Sequence, residues 1–521
     1  MMSTDLKKYN KLLYISFFLF FVFQLLMLDI LVPSESEGWF SDIAYNINWQ
    51  FNGRMAKDIP YGAAWSSGQG KIYFLIHYIF YKILGSGVFQ ARLVTFVCGV
   101  GMLILLYKWT LRYISKEVAI FSTFLLIASP LYYLSLPDAR TSVIHCLFGL
   151  LSFYFISSGF LTKKNYYFIA AGFVSAMSVD IDYRGIEIVL AIYIFHCVFF
   201  GKGAFLKYLL LLLIGTFIYF VIWFSINVLP MGIENFIKYN LIPTSGEGDP
   251  FSIETLLSEV NRFINNLTGK RKYFTIVEVL YLTFLSICFY KYRSKYNKVS
   301  KIVFSWILIC FVIMSLVERR SYIPHLLMYS PFICILSGIG LYELFNCKKK
   351  IASIVLVSIV FFSFVSQGGI LLNYVYQKYY KKDYDIKGYY LKLRESVDVN
   401  KNILGQPQHW YAFLDSQYYG GNFYLGRVMG VLKEIRPPNE YNNDYDRAKA
   451  MLKVLEKRKI EYIIADEDFK LGGLMCYFPN KELPKKNFLL VDTIDDMFLG
   501  RGNSQTPPYT TEIYKVISYE P

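Results

Sequence analysis

The chain has 521 residues, of which 55% are hydrophobic, 19% aromatic and only 18% charged, with a formal net charge of +15. It is too apolar for an ordinary soluble protein and too long for one domain, so it reads as a polytopic membrane protein. The Lys and Arg residues fall in short clusters between apolar runs, which accounts for the basic balance by membrane topology and argues against nucleic acid as a partner.

Lys7, Lys8 and Lys11 precede the first apolar run, about Leu12 to Val32, so its start is expected in the cytoplasm and Pro33 on the far side. The run is long enough to span and no small-residue cleavage site follows it, as an anchor rather than a leader would have it. Residues 33–87 then form a first outer loop rich in polar signals: Glu35, Glu37 and Asp42 near the membrane exit, Ile59-Pro60-Tyr61-Gly62, and a Gly/Ser/Trp stretch to Gly70. Lys71–Leu84 is apolar but only about 14 residues long, with Lys71, His77 and Lys82 in it. That is short of the roughly 20 needed to cross, and it is expected to lie in the interface.

Further spans are expected at about 88–108, 117–136, 141–161, 165–180, 185–200, 205–229, 274–292, 301–317, 323–345 and 351–373, making eleven with the first. The clusters Lys108/Arg112/Lys116, Lys163/Lys164, Lys202/Lys207, Lys291/Arg293/Lys295/Lys298/Lys301 and Lys348/Lys349/Lys350 then all fall on the cytoplasmic side. Counting Lys71–Leu84 as a span would reverse every one of them. After about residue 376 the composition becomes that of a soluble domain, which an odd number of spans places outside. There 444–459 has helical spacing, and 460–465, 488–493 and 511–517 have the β-branched and aromatic content of strands, so 377–521 reads as a small α/β domain. Seven of the eight cysteines lie singly in or beside apolar runs, with no CxxC spacing and no disulfide framework.

Several short motifs, taken in order, resemble the GT-C glycosyltransferases, in particular the protein O-mannosyltransferases and aminoarabinose transferases. They are Ser36-Glu37-Gly38-Trp39; Asn52-Gly53; Ile59-Pro60-Tyr61; Lys71-Ile72-Tyr73-Phe74-Leu75; Lys82-Ile83-Leu84-Gly85; Ala91-Arg92-Leu93; Asp138-Ala139-Arg140; Tyr322-Ile323-Pro324-His325; and Tyr329-Ser330-Pro331. The resemblance covers about residues 10–345, and the C-terminal domain matches only in position. It implies a polyprenyl-phosphate-linked sugar donor and transfer outside the membrane with inversion; the acceptor is left open among lipid A, O-antigen, another cell-envelope glycan and a protein. The family usually opens its first-loop motif with Asp-Glu, and Ser36 stands at the Asp position here.

On that resemblance Glu37 is the candidate base or acceptor-orienting carboxylate, and Glu35 a candidate to replace the missing Asp. Glu37 fits equally an acidic start to a helix at Trp39, favoured by the helix dipole. Asp42, five residues on, would point elsewhere from Glu37 on a helix. Arg140 and Asp138, where a span emerges, are candidates to bind and orient the donor phosphate, or else form an interfacial ion pair. Arg184, Arg319 and Arg320 are further phosphate candidates; two adjacent Arg on the outer side run against the positive-inside bias, though Glu318 is beside them to pair. Asp180 and Asp182 have the DxD spacing that can chelate a divalent cation beside phosphate, and His325 is a third metal candidate. A polar hairpin with an internal ion pair is the competing reading of that turn. No cofactor beyond such a cation is indicated, and neither a dinucleotide fingerprint nor a Walker sequence is present.

The expectation is therefore an eleven-span membrane glycosyltransferase of residues 1–376 with an extracytoplasmic α/β domain, in a bacterial plasma (inner) membrane. A lipid or polysaccharide flippase and a non-catalytic glycan-binding protein are the rivals. A flippase would carry its ionisable residues along a central pathway rather than at one rim.

Overall fold

The computed structural model describes residues 4–30, 35–47, 71–182, 184–229, 232–236, 272–317, 327–379, 386–420, 441–466, 474–479, 482–495 and 510–521. In chain order its helices are α1 (Thr4–Ile30), α2 (Glu35–Tyr45), α3 (Lys71–Leu84), α4 (Val88–Tyr113), α5 (Lys116–Ala128), α6 (Pro130–Ser135), α7 (Thr141–Thr162) and α8 (Asn165–Val179). After them come α9 (Gly185–Phe199), α10 (Lys202–Asn227), a single helical turn at Ile233–Phe236, α11 (Lys272–Tyr292), α12 (Asn297–Val317), α13 (Ser330–Cys347) and α14 (Lys349–Tyr379). The remainder is α15 (Ile386–Glu395), α16 (Asp444–Lys457) and strands β1 (Asn402–Gly405), β2 (Tyr418–Gly420), β3 (Ile460–Ala465), β4 (Phe488–Asp495) and β5 (Thr510–Val516). Among the described residues six helices are long and apolar enough to cross a membrane: Val88–Tyr113, Thr141–Thr162, Ala204–Ile226, Ser294–Ile313, Ser330–Cys347 and Lys349–Asn373. The 15-residue helices α8 and α9 are shorter than that.

The chain divides into two compact units, one of residues 1–28, 92–230 and 246–372, the other of 29–91, 231–245 and 373–521. In the first, small residues let helices touch backbone to backbone. A Cβ on Gly172 of α8 would lie 2.1 Å from the Leu212 carbonyl oxygen of α10, and one on Gly215 of α10 would lie 2.0 Å from that of Ile169, so each helix needs the other's glycine to approach so closely. The 117–136 run is broken at Ser129-Pro130, where Ser129 is extended and caps α6 through Tyr132 N–H. Pro130 has no N–H to continue α5. The break leaves the Ile127 carbonyl without its helical donor, and the Gln367 amide of α14 supplies one at 2.9 Å. Inside the helical unit Trp109 donates to Ser157 at 2.8 Å, and Glu343 accepts from Lys295 and Tyr296 at 2.8 Å each, so these buried polar groups find partners on neighbouring helices.

In the second unit the sheet order is β2-β1-β3-β5-β4, with β1 parallel to β2 and β3, and β5 antiparallel to β3 and β4. Helix α16 starts at the N-cap Asn443, whose side chain accepts from Asp446 N–H at 2.8 Å, and buries Met451, Leu452, Val454 and Leu455 against Leu404, Ile460, Ile463 and Phe488 of the sheet. Helices α2 and α3 belong to this same unit: α2 packs against α3 on one side and against the 3-10 turn of residues 407–412, which follows β1, on another.

Candidate functional site

The functional side chains predicted from the sequence divide between the two units, and each group is described where it lies. In the second unit, the α2 sequence Glu35–Tyr45 places Glu37, Ser41 and Asp42 in the interior, Glu37 at 2% exposure and Asp42 at 1%. The acidic loop expected near the membrane exit is therefore a buried helix. Both carboxylates are enclosed despite their angular separation because α2 has packing partners on two sides. Asp42 accepts from the Asn46 side chain at 2.7 Å, one turn along. Glu35 opens the helix, and its side chain lies outside the described residues.

Around Ser41 three hydroxyls meet. Tyr81 of α3 donates to Ser41 Oγ at 2.7 Å, Ser41 Oγ is also 2.7 Å from the Tyr411 hydroxyl, and Tyr411 donates to the Glu37 carbonyl at 3.3 Å. Burial raises the pKa of both phenols, and the nearby Glu37 carboxylate raises each further, so both stay protonated and able to donate. Gly38 sits over Pro407, where a Cβ would be 1.9 Å from the Pro407 carbonyl oxygen. One turn before Tyr81, His77 Nδ1–H donates to the Tyr73 carbonyl at 3.0 Å, and burial pushes the imidazole down to about 4.

In the first unit the candidates lie at the ends of α7, α8 and α9. Asp138 and Arg140 form a partly exposed ion pair at 3.0 Å immediately before α7. Asp182, in the α8–α9 turn, is fully buried. Its Oδ1 accepts from the Arg184 backbone N–H at 3.1 Å and from Arg184 Nε at 2.7 Å, and its Oδ2 accepts from Thr141 at 2.8 Å and from Arg184 Nη2. Asp180 accepts from the Tyr219 hydroxyl of α10 at 2.9 Å. The two carboxylates of the DxD spacing thus have different protein donors, and among the described residues no group of three or more His, Cys, Asp or Glu side chains is placed to hold a metal ion. The donor set is that of a hydrogen-bonded clasp and does not fit a cation.

Arg92, at 1% exposure, donates to the Leu28 carbonyl at 3.2 Å and so caps the last turn of α1. Glu318, Arg319, Arg320 and His325 lie outside the described residues. Sequence reasoning missed Ser41, Tyr81, Tyr411, Thr141 and Tyr219. Among 45 tyrosines nothing in the sequence marks these three, whereas Thr141, directly after Arg140, had its position as a signal.

Residues 71–228 match the family model for dolichyl-phosphate-mannose-protein mannosyltransferase. In structure the chain is similar to ArnT from Cupriavidus metallidurans in the apo state, at 11% identity and TM-score 0.64, over 97% of this chain and 98% of that one. It is also similar to ArnT of the same organism bound to undecaprenyl phosphate, at 12% identity and TM-score 0.59, over 98% and 99% of the two chains. A third match is the oligosaccharyltransferase of Archaeoglobus fulgidus in complex with zinc and sulfate, at 10% identity and TM-score 0.48, over 87% of this chain and 68% of that chain. A comparison with curated sequences found no match. Near-complete coverage of both ArnT chains shows a shared fold over the whole length.

Proposed function

We propose that this chain, a membrane glycosyltransferase of the GT-C superfamily by its matched family segment and its fold, moves a sugar from a polyprenyl phosphate to an acceptor outside the cytoplasm. The observation that carries the proposal is the family match over 71–228 within a fold shared end to end with a protein solved bound to undecaprenyl phosphate.

In the reaction so proposed, the acceptor oxygen attacks the anomeric carbon, the bond from that carbon to the phosphate oxygen breaks, and the lipid phosphate leaves with the electron pair. Inversion follows from one displacement. Glu37, with Glu35 and Asp42 as further candidates on α2, takes the acceptor hydroxyl's proton. Arg140, oriented by Asp138, and Arg184, oriented by Asp182, offer guanidinium donors to the charge that collects on the leaving phosphate. Arg319 and Arg320 are further candidates for the same role. No step is assigned to a metal, since Asp180 and Asp182 are occupied by Tyr219, Arg184 and Thr141. Eleven spans, a cytoplasmic N-terminus and an outer domain of 377–521 complete the reading, with a cell-envelope glycan, lipid A, O-antigen or a protein as acceptor.

The test is a transfer assay in membranes carrying the protein, with a panel of radiolabelled polyprenyl-phosphate sugars and a cell-envelope extract as acceptor. One donor of the panel is expected to lose label to the acceptor fraction and release free polyprenyl phosphate. Transfer from none of them, with the protein present in the membrane, contradicts the proposal.

A further inference from the structure

The 3-10 turn of residues 407–412 is held from several directions. Asp466, at the C-terminal end of β3, accepts from Gln408 Nε2 and His409 Nε2 at 2.9 Å each. The Tyr390 hydroxyl of α15 donates to the Gln408 carbonyl at 2.8 Å, and the Tyr418 hydroxyl of β2 donates to the Gln406 carbonyl at 2.6 Å. Tyr389, also of α15, bridges His409 Nδ1 at 3.4 Å and Thr511 of β5 at 2.9 Å. Every residue from Gln406 to Phe413 is buried, and His409 and Asp466 are fully so. These buried hydrogen bonds hold the turn in place, because moving it would strand the Gln408, His409, Tyr390 and Tyr418 donors away from water.

From this turn Tyr411 reaches α2, where its hydroxyl meets Ser41 Oγ at 2.7 Å and the Glu37 carbonyl at 3.3 Å. Trp410 packs edge-on to Tyr45 with ring centroids 5.8 Å apart, and Pro407 takes up the space that a side chain at Gly38 would need. The contacts cover the helix from Glu37 to Tyr45, and they link residues about 370 positions apart in sequence. A helix held only by its own loop would be free to rotate and translate by more than a proton transfer tolerates.

We propose that the 407–412 turn is the positioning element of the carboxylate helix, and that Tyr411, through Ser41 and the Glu37 backbone, is a positioning residue that sets where the Glu37 carboxylate stands. This rests on the reading of Glu37 as the carboxylate that serves the transfer. It gives the C-terminal domain a part in the chemistry that does not require it to touch substrate.

Tyr411→Phe removes one hydroxyl and keeps the ring. Ser41→Ala removes the partner, and Ser41→Thr keeps a hydroxyl there. In the transfer assay, Tyr411→Phe and Ser41→Ala are each expected to lower kcat about tenfold, with KM for the lipid donor within about twofold and thermal stability in detergent near that of wild type. The double variant should lose little more than either single one, and Ser41→Thr should recover most of the rate. Rates within twofold of wild type in both single variants, or a loss that only tracks the fraction of folded protein, would overturn the inference while leaving the transferase reading intact. Should Tyr411→Phe not fold, the contrast between Ser41→Ala and Ser41→Thr decides alone. A wild-type protein that transfers nothing takes down both readings.

Discussion

Asp182 has no exposure, yet it remains a carboxylate at neutral pH. Burial pushes its carboxyl up, but the Arg184 guanidinium beside it, hydrogen bonds from Arg184 and Thr141, and His145 outweigh that and hold it at about 2. Since the folded value lies below that of the unfolded chain, the clasp stabilises the fold above roughly pH 4, and the contribution is lost as pH falls from there towards 2. Asp182→Asn is expected to lower stability at pH 7 by roughly 2–3 kcal/mol, because Arg184 is left without its charged acceptor. Thermal unfolding in detergent across that pH range checks it: the gap between variant and wild type should close towards the acid end, and a variant as stable as wild type at pH 7 contradicts it. The residues of this turn were visible in the sequence as a DxD with an Arg beside it, and a polar hairpin with an internal ion pair was one of its two readings. What spacing does not convey is the third partner. Thr141 is 41 positions from Asp182, and Tyr219 is 39 positions from Asp180, so neither pairing has a local signature.

At the scale of elements, apolar run length and flanking charge located the helices well. Lys71–Leu84, read as a short helix from its apolar run, is a helix with those bounds. The run 117–136 was expected unbroken, and the structure divides it at Ser129-Pro130 because proline cannot donate to the preceding turn. Strands β3, β4 and β5 were legible from their β-branched and aromatic content. The four-residue β1 and three-residue β2 were not, since Asn402–Gly405 and Tyr418–Gly420 are too short for alternation and each ends in glycine. The proposed topology, which rests on the Lys and Arg clusters between apolar runs, puts Lys164 between α7 and α8 inside and Glu395 at the end of α15 outside. New cysteines at those two exposed positions test it. With the parent's own labelling subtracted, Glu395→Cys should react with a membrane-impermeant maleimide in intact cells, and Lys164→Cys only after lysis. The reverse pattern overturns the orientation.

For the whole molecule, composition marks the end of the apolar runs near residue 376 but says nothing of tertiary partners. That residues 29–91 gather with 373–521 in one compact unit depends on pairs such as Ser41 with Tyr411, which lie 370 positions apart. Such pairs join hydroxyls that the surrounding sequence does not distinguish. The same unit explains how Glu37 can be buried in a polar setting rather than exposed in a loop, and the central claim is that this carboxylate serves sugar transfer. Its most direct test is Glu37→Gln, which keeps the shape of the side chain and removes its basicity. With wild type and variant present at equal amounts in membranes and given the donor that wild type uses, the variant is expected to lose at least about a hundredfold in transfer rate, as the removal of a general base does. A variant that transfers sugar at the wild-type rate would contradict the account.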